Sequence, residues 1–150
     1  FIGQNLGAKE YDRTKKGALF GTICGIGIAE VIGIAVFFFS PYLIAAFGGD
    51  QKAIEYGIAE AHTIALFYCL LAFSHCMAAI QRGAGRSIVP MFVMMLVWCG
   101  VRVTYISIVI RIIPMINVIY WAYPLTWFIS SVIFLILFLK TDWIHGLEKQ

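Results

Sequence analysis

Charge is scarce in this chain. Asp, Glu, Lys and Arg make up 13% of its 150 residues, against 61% hydrophobic and 15% aromatic. A soluble domain carries about a quarter charged residues and roughly half apolar ones, so a water-soluble fold of this length has too little polar surface to cover its apolar one. Histidine and cysteine are few, at 3 and 4, and their spacing fits no metal site. Cys24, Cys69, Cys76 and Cys99 all lie within apolar runs, where a free thiol packs as a small hydrophobe and no disulfide framework is indicated. No phosphate-binding glycine loop, paired carboxylates or nucleophile with its base is present, so the sequence is not that of an enzyme and implies no cofactor. The net charge of +3 follows from loop placement and calls for no nucleic-acid partner.

What the chain does have is four long apolar runs, Gly17 to Ser40, Gly57 to Gln81, Val89 to Ile113 and Tyr120 to Leu139. Each is long enough to cross a hydrocarbon core of about 30 Å at 1.5 Å per residue. Only helices and closed barrels satisfy every backbone polar group in lipid, and runs without polar alternation exclude a barrel. The reading is an all-α membrane protein with four transmembrane helices. Residues 1–16 form a loop before the first span and residues 140–150 a tail. Phe1 opens directly into an amphiphilic segment without a signal-peptide layout, which reads as a truncated start.

The basic residues orient these spans. Lys9, Arg13, Lys15 and Lys16 precede the first, Arg82 and Arg86 lie between the second and third, and Lys140 and Lys149 follow the fourth. The other side holds only Lys52 and Arg111, beside Asp50, Glu55 and Glu60. Lys and Arg gather in cytoplasmic loops. Both ends, the 1–16 loop and the 140–150 tail, are therefore expected in the cytoplasm, with the chain a multi-pass protein of the plasma membrane.

A few polar groups sit inside the spans. Small residues recur every four positions at Gly17, Gly21, Gly25, Ala29 and Gly33, a stripe that lets helix backbones approach closely. Glu30 lies near the middle of that span. An ionised acid there costs about 2.5–3.5 kcal/mol by insertion scales, so it faces a cavity, finds a partner or stays protonated. Glu30 is a candidate for binding a proton, a sodium ion or a cationic substrate. Packing as a protonated, hydrogen-bonded Glu is the structural alternative. Ser74 and His75 fall inside the second span, with proton relay set against plain packing. Arg102 lies 12 residues past Pro90, about 18 Å along the third helix. It needs an acceptor, either backbone carbonyls at a broken helix or an acid on another helix such as Glu30, with Tyr105 at i+3 sharing its face, and a structural clamp is set against substrate contact. Trp98, Tyr68 and Phe73 could line a cavity for flat cations. Tyr120, Trp121, Tyr123, Trp127 and Trp143 read as an interfacial aromatic belt.

Three segments resemble the C-terminal lobe of the multidrug and toxic compound extrusion (MATE) family. They are GQNLGAKEYDRTKK with Gly3, Gln4 and Asn5, then IQRGAGRSIVPMF with Arg82, Gly83, Ala84 and Gly85, and finally WAYPLTWFISSVIFLILFLKTDW. The resemblance implies helices nine to twelve of a twelve-helix transporter, so that the chain is part of a six-helix C-terminal lobe whose helices one to eight are missing partners. It implies efflux of amphipathic, often cationic drugs or toxins by proton or sodium antiport with alternating access, with the lipid bilayer and small organic cations as further partners. Arg102 is similar to an Arg of the family's helix eleven. One branch places a carboxylate within helix ten, where this chain has only Ser74 and His75. That departure points to the bacterial DinF-like branch, with the coupling acid on the other lobe. A flippase for lipids or lipid-linked oligosaccharides of the same superfamily is the alternative, and would carry more cavity Arg and Lys. A non-transporting four-helix scaffold would need no partner lobe.

Overall fold

A computed structural model of the chain describes residues 1–144. Lys149, assigned above to a cytoplasmic tail, lies outside the described residues. The described chain is all helical: α1 Ile2–Gly7, α2 Tyr11–Ala46, α3 Gln51–Ala65, α4 Tyr68–Gly83, α5 Ile88–Ile112 and α6 Asn117–Lys140. Three of these, α2, α5 and α6, are each long and apolar enough to cross a membrane, with mean hydropathies of 2.2, 2.0 and 2.1. The pair α3 and α4 makes a fourth span if counted together.

Two features differ from the sequence reading. The second span is not continuous. Its helix breaks at Leu66 and Phe67 and the two halves meet at 58°. The first span is longer than expected at both ends: residues 1–16, read as a loop, hold the short helix α1 and the start of α2 at Tyr11, and α2 runs through Pro41 to Ala46. Pro41 has no N–H to offer the Phe37 carbonyl one turn back. Ser40 Oγ donates to that carbonyl instead, at 3.3 Å, which lets the helix continue.

Helix α4 is the hub, packing against α2 on one side and α6 on the other. Met77, Ala78 and Ile80 of α4, Ala18 of α2, Leu6 of α1 and Phe134 of α6 form the buried apolar core. Elsewhere α2 turns large apolar side chains outward, with Phe20, Val31 and Phe38 each about two-thirds exposed, as suits a lipid-facing surface. Helix α3 starts at Asp50, whose Oδ1 accepts from the Ala53 N–H at 2.6 Å.

The two loop motifs meet at one end of the bundle. After α4, the Gly85 N–H donates to the Arg82 carbonyl and the Arg86 N–H to the Gln81 carbonyl, with Gly85 at φ +80°. This is a Schellman stop, which favours glycine at the left-handed position. The same pair of bonds ends α1, from Lys9 to Leu6 and from Glu10 to Asn5, with Lys9 itself at φ 60°. Gly83 and Gly3 are the points of closest approach between α4 and α1. A Cβ on Gly3 would stand 3.0 Å from the Gly83 carbonyl oxygen, and one on Gly83 2.8 Å from Ile2 Cβ. Asn5 is buried beneath them and its Nδ2 donates to the Phe1 carbonyl at 2.7 Å, while Gln4 stays exposed. Arg86 donates to the Asp142 carbonyl at 2.9 Å. The basic segments before α2, after α4 and after α6 thus lie at the same end.

Candidate functional site

The polar groups inside the apolar helices fall on two sides of α4. On the α2 side, Glu30 Oε2 accepts a hydrogen bond from the Cys69 backbone N–H at 3.1 Å. In an unbroken helix that N–H would donate to the Ala65 carbonyl four residues back. Here the ladder bond is absent and Glu30 replaces it from another helix. A carboxylate suits this place, because the first N–H groups of a helix are unpaired and carry partial positive charge. The Cys69 thiol faces the same carboxylate. Gly33, one turn further along α2, makes room for the other half of the broken bond. A Cβ there would collide with the Ala65 carbonyl oxygen. Glu30 is therefore a cap in trans for a broken helix. It does not pair with Arg102 as the sequence reading had allowed.

On the α6 side, Ser74 is fully buried between helices, with its Oγ 2.9 Å from both Ser130 Oγ and Ser131 Oγ. Ser130 also reaches the Trp127 carbonyl at 3.0 Å and Ser131 the Leu70 carbonyl at 3.1 Å. Three hydroxyl protons serve these four contacts, so one always lacks a proton and the set can exchange donors. Trp98 Nε1 donates to Ser130 at 3.3 Å and ties α5 into the same cluster. Ser74 is a clamp between helices α4 and α6. Such interhelical bonds in membranes average about 0.6 kcal/mol and reach about 1.7.

Arg102 lies about one turn further out. Its Nη2 and Nε donate to Thr126 Oγ1 at 2.7 and 3.3 Å. Its guanidinium carbon stands 4.3 Å from the ring centre of Tyr123 and 5.8 Å from that of Trp98. Thr126 is fully buried and hands its own proton to the Ala122 or Tyr123 carbonyl. Tyr105, on the same helix, is not among the partners of Arg102. His75 is exposed on α4 with its ring 5.1 Å from Trp98, edge to face. Residues Met95–Val101 wind as a π-helix, which places Trp98 inside the irregular stretch and Arg102 immediately after it. Single π-turns occur often at functional sites.

The aromatics are arranged differently from the interfacial belt read from the sequence. Trp127 and Tyr120 are buried, at 5% and 4% exposure, and Tyr123 stacks on Arg102. Trp143 is also buried, stacked on Phe138, while Trp121 points outward. Tyr120, Tyr123 and Trp127 face inward because α6 turns a polar and aromatic face toward its neighbouring helices. Of the mid-span aromatics, Tyr68 joins the cluster through Trp127 at 6.1 Å. Phe73 instead packs on the apolar core. Thr126, Ser130, Ser131 and Tyr123 were missed as site residues. Their signal was the hydroxyl spacing 126, 130, 131 in an otherwise apolar helix, one face by the i, i+4 rule.

Two hollows open elsewhere, about 580 Å³ between α1, α2 and α4 and about 450 Å³ between α2, α4 and α6. Neither is lined by Glu30, Ser74, His75, Arg102 or Tyr105. The polar face is buried between α4, α5 and α6 at Ser74, Thr126, Ser130 and Ser131, while Arg102 is half-buried and His75 exposed at its margin.

Apolar helices of this length, packed around hydroxyl, indole and guanidinium groups, define an all-α, multi-pass membrane protein. The family model described as MatE matches residues 1–106. The chain belongs to this family, a family of transporters in the MATE superfamily, and the match takes in α1 to α4 and α5 past Arg102. No curated protein and no solved structure matches the chain.

Proposed function

We propose that the chain forms one wall of the substrate path in a secondary exporter of the DinF-like branch. The exporter moves amphipathic organic compounds, cations among them, by alternating access in exchange for protons or sodium ions. The observation that carries this reading is a pair of intramembrane charges held at helix irregularities, Glu30 at the α3–α4 break and Arg102 after the π-turn. Secondary transporters place substrate and ion sites near the bilayer midplane at such broken helices. In this reading the remaining helices of the lobe and its partner lobe face this wall, and the end gathering the basic segments is cytoplasmic. The Glu30 carboxylate is already engaged by a backbone amide, which supports placing the coupling acid in the other lobe.

Cells expressing the full-length protein should accumulate less of an ethidium-like dye than control cells. Collapse of the proton or the sodium gradient, tested separately, should restore accumulation for one ion only. Unchanged accumulation across a panel of such dyes overturns the proposal.

A further inference from the structure

We propose that Arg102 receives an acidic group of the transported compound, so that this wall favours aromatic amphipaths bearing a carboxylate or phosphate, zwitterions included. The inference rests on the transport reading above and names the substrate class of that same wall.

The ring faces that would attract an organic cation are already taken. The Arg102 guanidinium lies over Tyr123 at 4.3 Å and beside Trp98 at 5.8 Å, so a flat cation approaching either face meets a positive charge held in place. The guanidinium is also only partly used. It carries five N–H donors. Among the described residues, only Nε and Nη2 have an acceptor, and both share the single oxygen of Thr126. Among the described residues, the ionisable groups that act on it are Tyr123 and Cys99, neither of them a carboxylate. Intramembrane arginine pairs with an acid, backbone carbonyls or a ligand. Glu30, the acid within the apolar part of α2, accepts from the Cys69 amide. The free edge of the guanidinium matches the planar, two-oxygen face of a carboxylate or phosphate, which arginine binds with two parallel hydrogen bonds. Trp98 and Tyr123, which lie against the guanidinium, are the apolar surfaces next to that free edge.

The test uses rhodamine B, which carries a free carboxylate, and its ethyl ester, which does not. Binding to the full-length protein in phosphatidylcholine nanodiscs is read by fluorescence polarisation against empty nanodiscs. Wild type should bind the acid roughly tenfold or more tightly than the ester, the scale of one charge-assisted hydrogen-bonded pair. Arg102→Gln should bring that ratio close to one, by weakening binding of the acid and freeing the ring faces for the cationic ester, and Arg102→Lys should keep part of it. Loss of the preference in wild type alone when anionic lipid is added identifies a lipid headgroup as the source of the acidic group and supports the same chemistry. Equal affinities in wild type, or a preference that survives in Arg102→Gln, overturn the inference and leave the transport reading standing. An acid from elsewhere in the protein sitting on Arg102 would give the first of these results. Failure to bind either dye, together with failure to export any dye of the panel, overturns both.

Discussion

The two intramembrane charges of this chain are handled in opposite ways. Glu30 is engaged by the backbone: it takes the Cys69 amide released where α3 breaks from α4. Arg102 is engaged by side chains, one hydroxyl and two ring faces. A carboxylate fixed on a helix end holds a conformation, because removing it leaves an amide unpaired in lipid. A guanidinium resting on a threonine and two rings can exchange partners without unmaking a helix. On the α2 side of α4 the charge thus holds a helix break, and on the α6 side it rests on groups it can leave.

The sharpest way to break this comparison is Gly33→Ala, which drives a methyl group into the Ala65 carbonyl. Overpacking of this kind typically costs about 1–3 kcal/mol, and thermal unfolding in detergent should show a loss toward the upper end. Glu30→Ala comes next. It orphans the Cys69 N–H at a cost of about 1–3 kcal/mol. Glu30→Gln keeps an acceptor and should recover most of that stability along with dye export. A Gln variant that is stable but transport-dead would give Glu30 a role beyond holding the helix break and undo the contrast. Ser74→Ala removes one member of the serine cluster. Its effect should be about 0.6 kcal/mol and no more than about 1.7, measurable against wild type in the same unfolding assay. The smallest effect has the opposite sign. Lys9 occupies a left-handed position where Gly85 stands in the matching turn, so Lys9→Gly should stabilise by at most about 1 kcal/mol, read as a small rise in Tm.

The spans were legible because apolar length is a one-dimensional property, and residues 89–113 and 120–139 differ from α5 and α6 only at their ends. The break at Leu66 and Phe67 was not. Its local sequence, IALFYCLL, is uninterrupted apolar residues, and what sustains the break is an acid 39 positions away. Arg102 was legible as a costly group in need of an acceptor. Its acceptor was hidden, because Thr126 looks ordinary in a helix whose aromatics suggested an interface. The GQN and RGAG segments showed their turns through glycine, while their contact with each other needed the fold to bring Gly3 to Gly83. His75 and Tyr105 were named from position alone, and position does not fix helical phase when neighbours set the rotation.

The π-turn at Met95–Val101 acts on everything beyond it like an extra tooth on a gear. One residue added to a helix rotates all that follows by about 100°, a single step of a 3.6-residue turn. Arg102 faces Thr126 because that step is absorbed just before it. A relative of the same length that wound these residues as regular α-helix would keep its apolar span and its arginine and yet point the arginine away from α6, whereas one a residue shorter would keep the phase without the π-turn. In comparing such chains, the gap belongs inside this turn, and the phase of the residue after it separates those that keep the wall from those that have lost it.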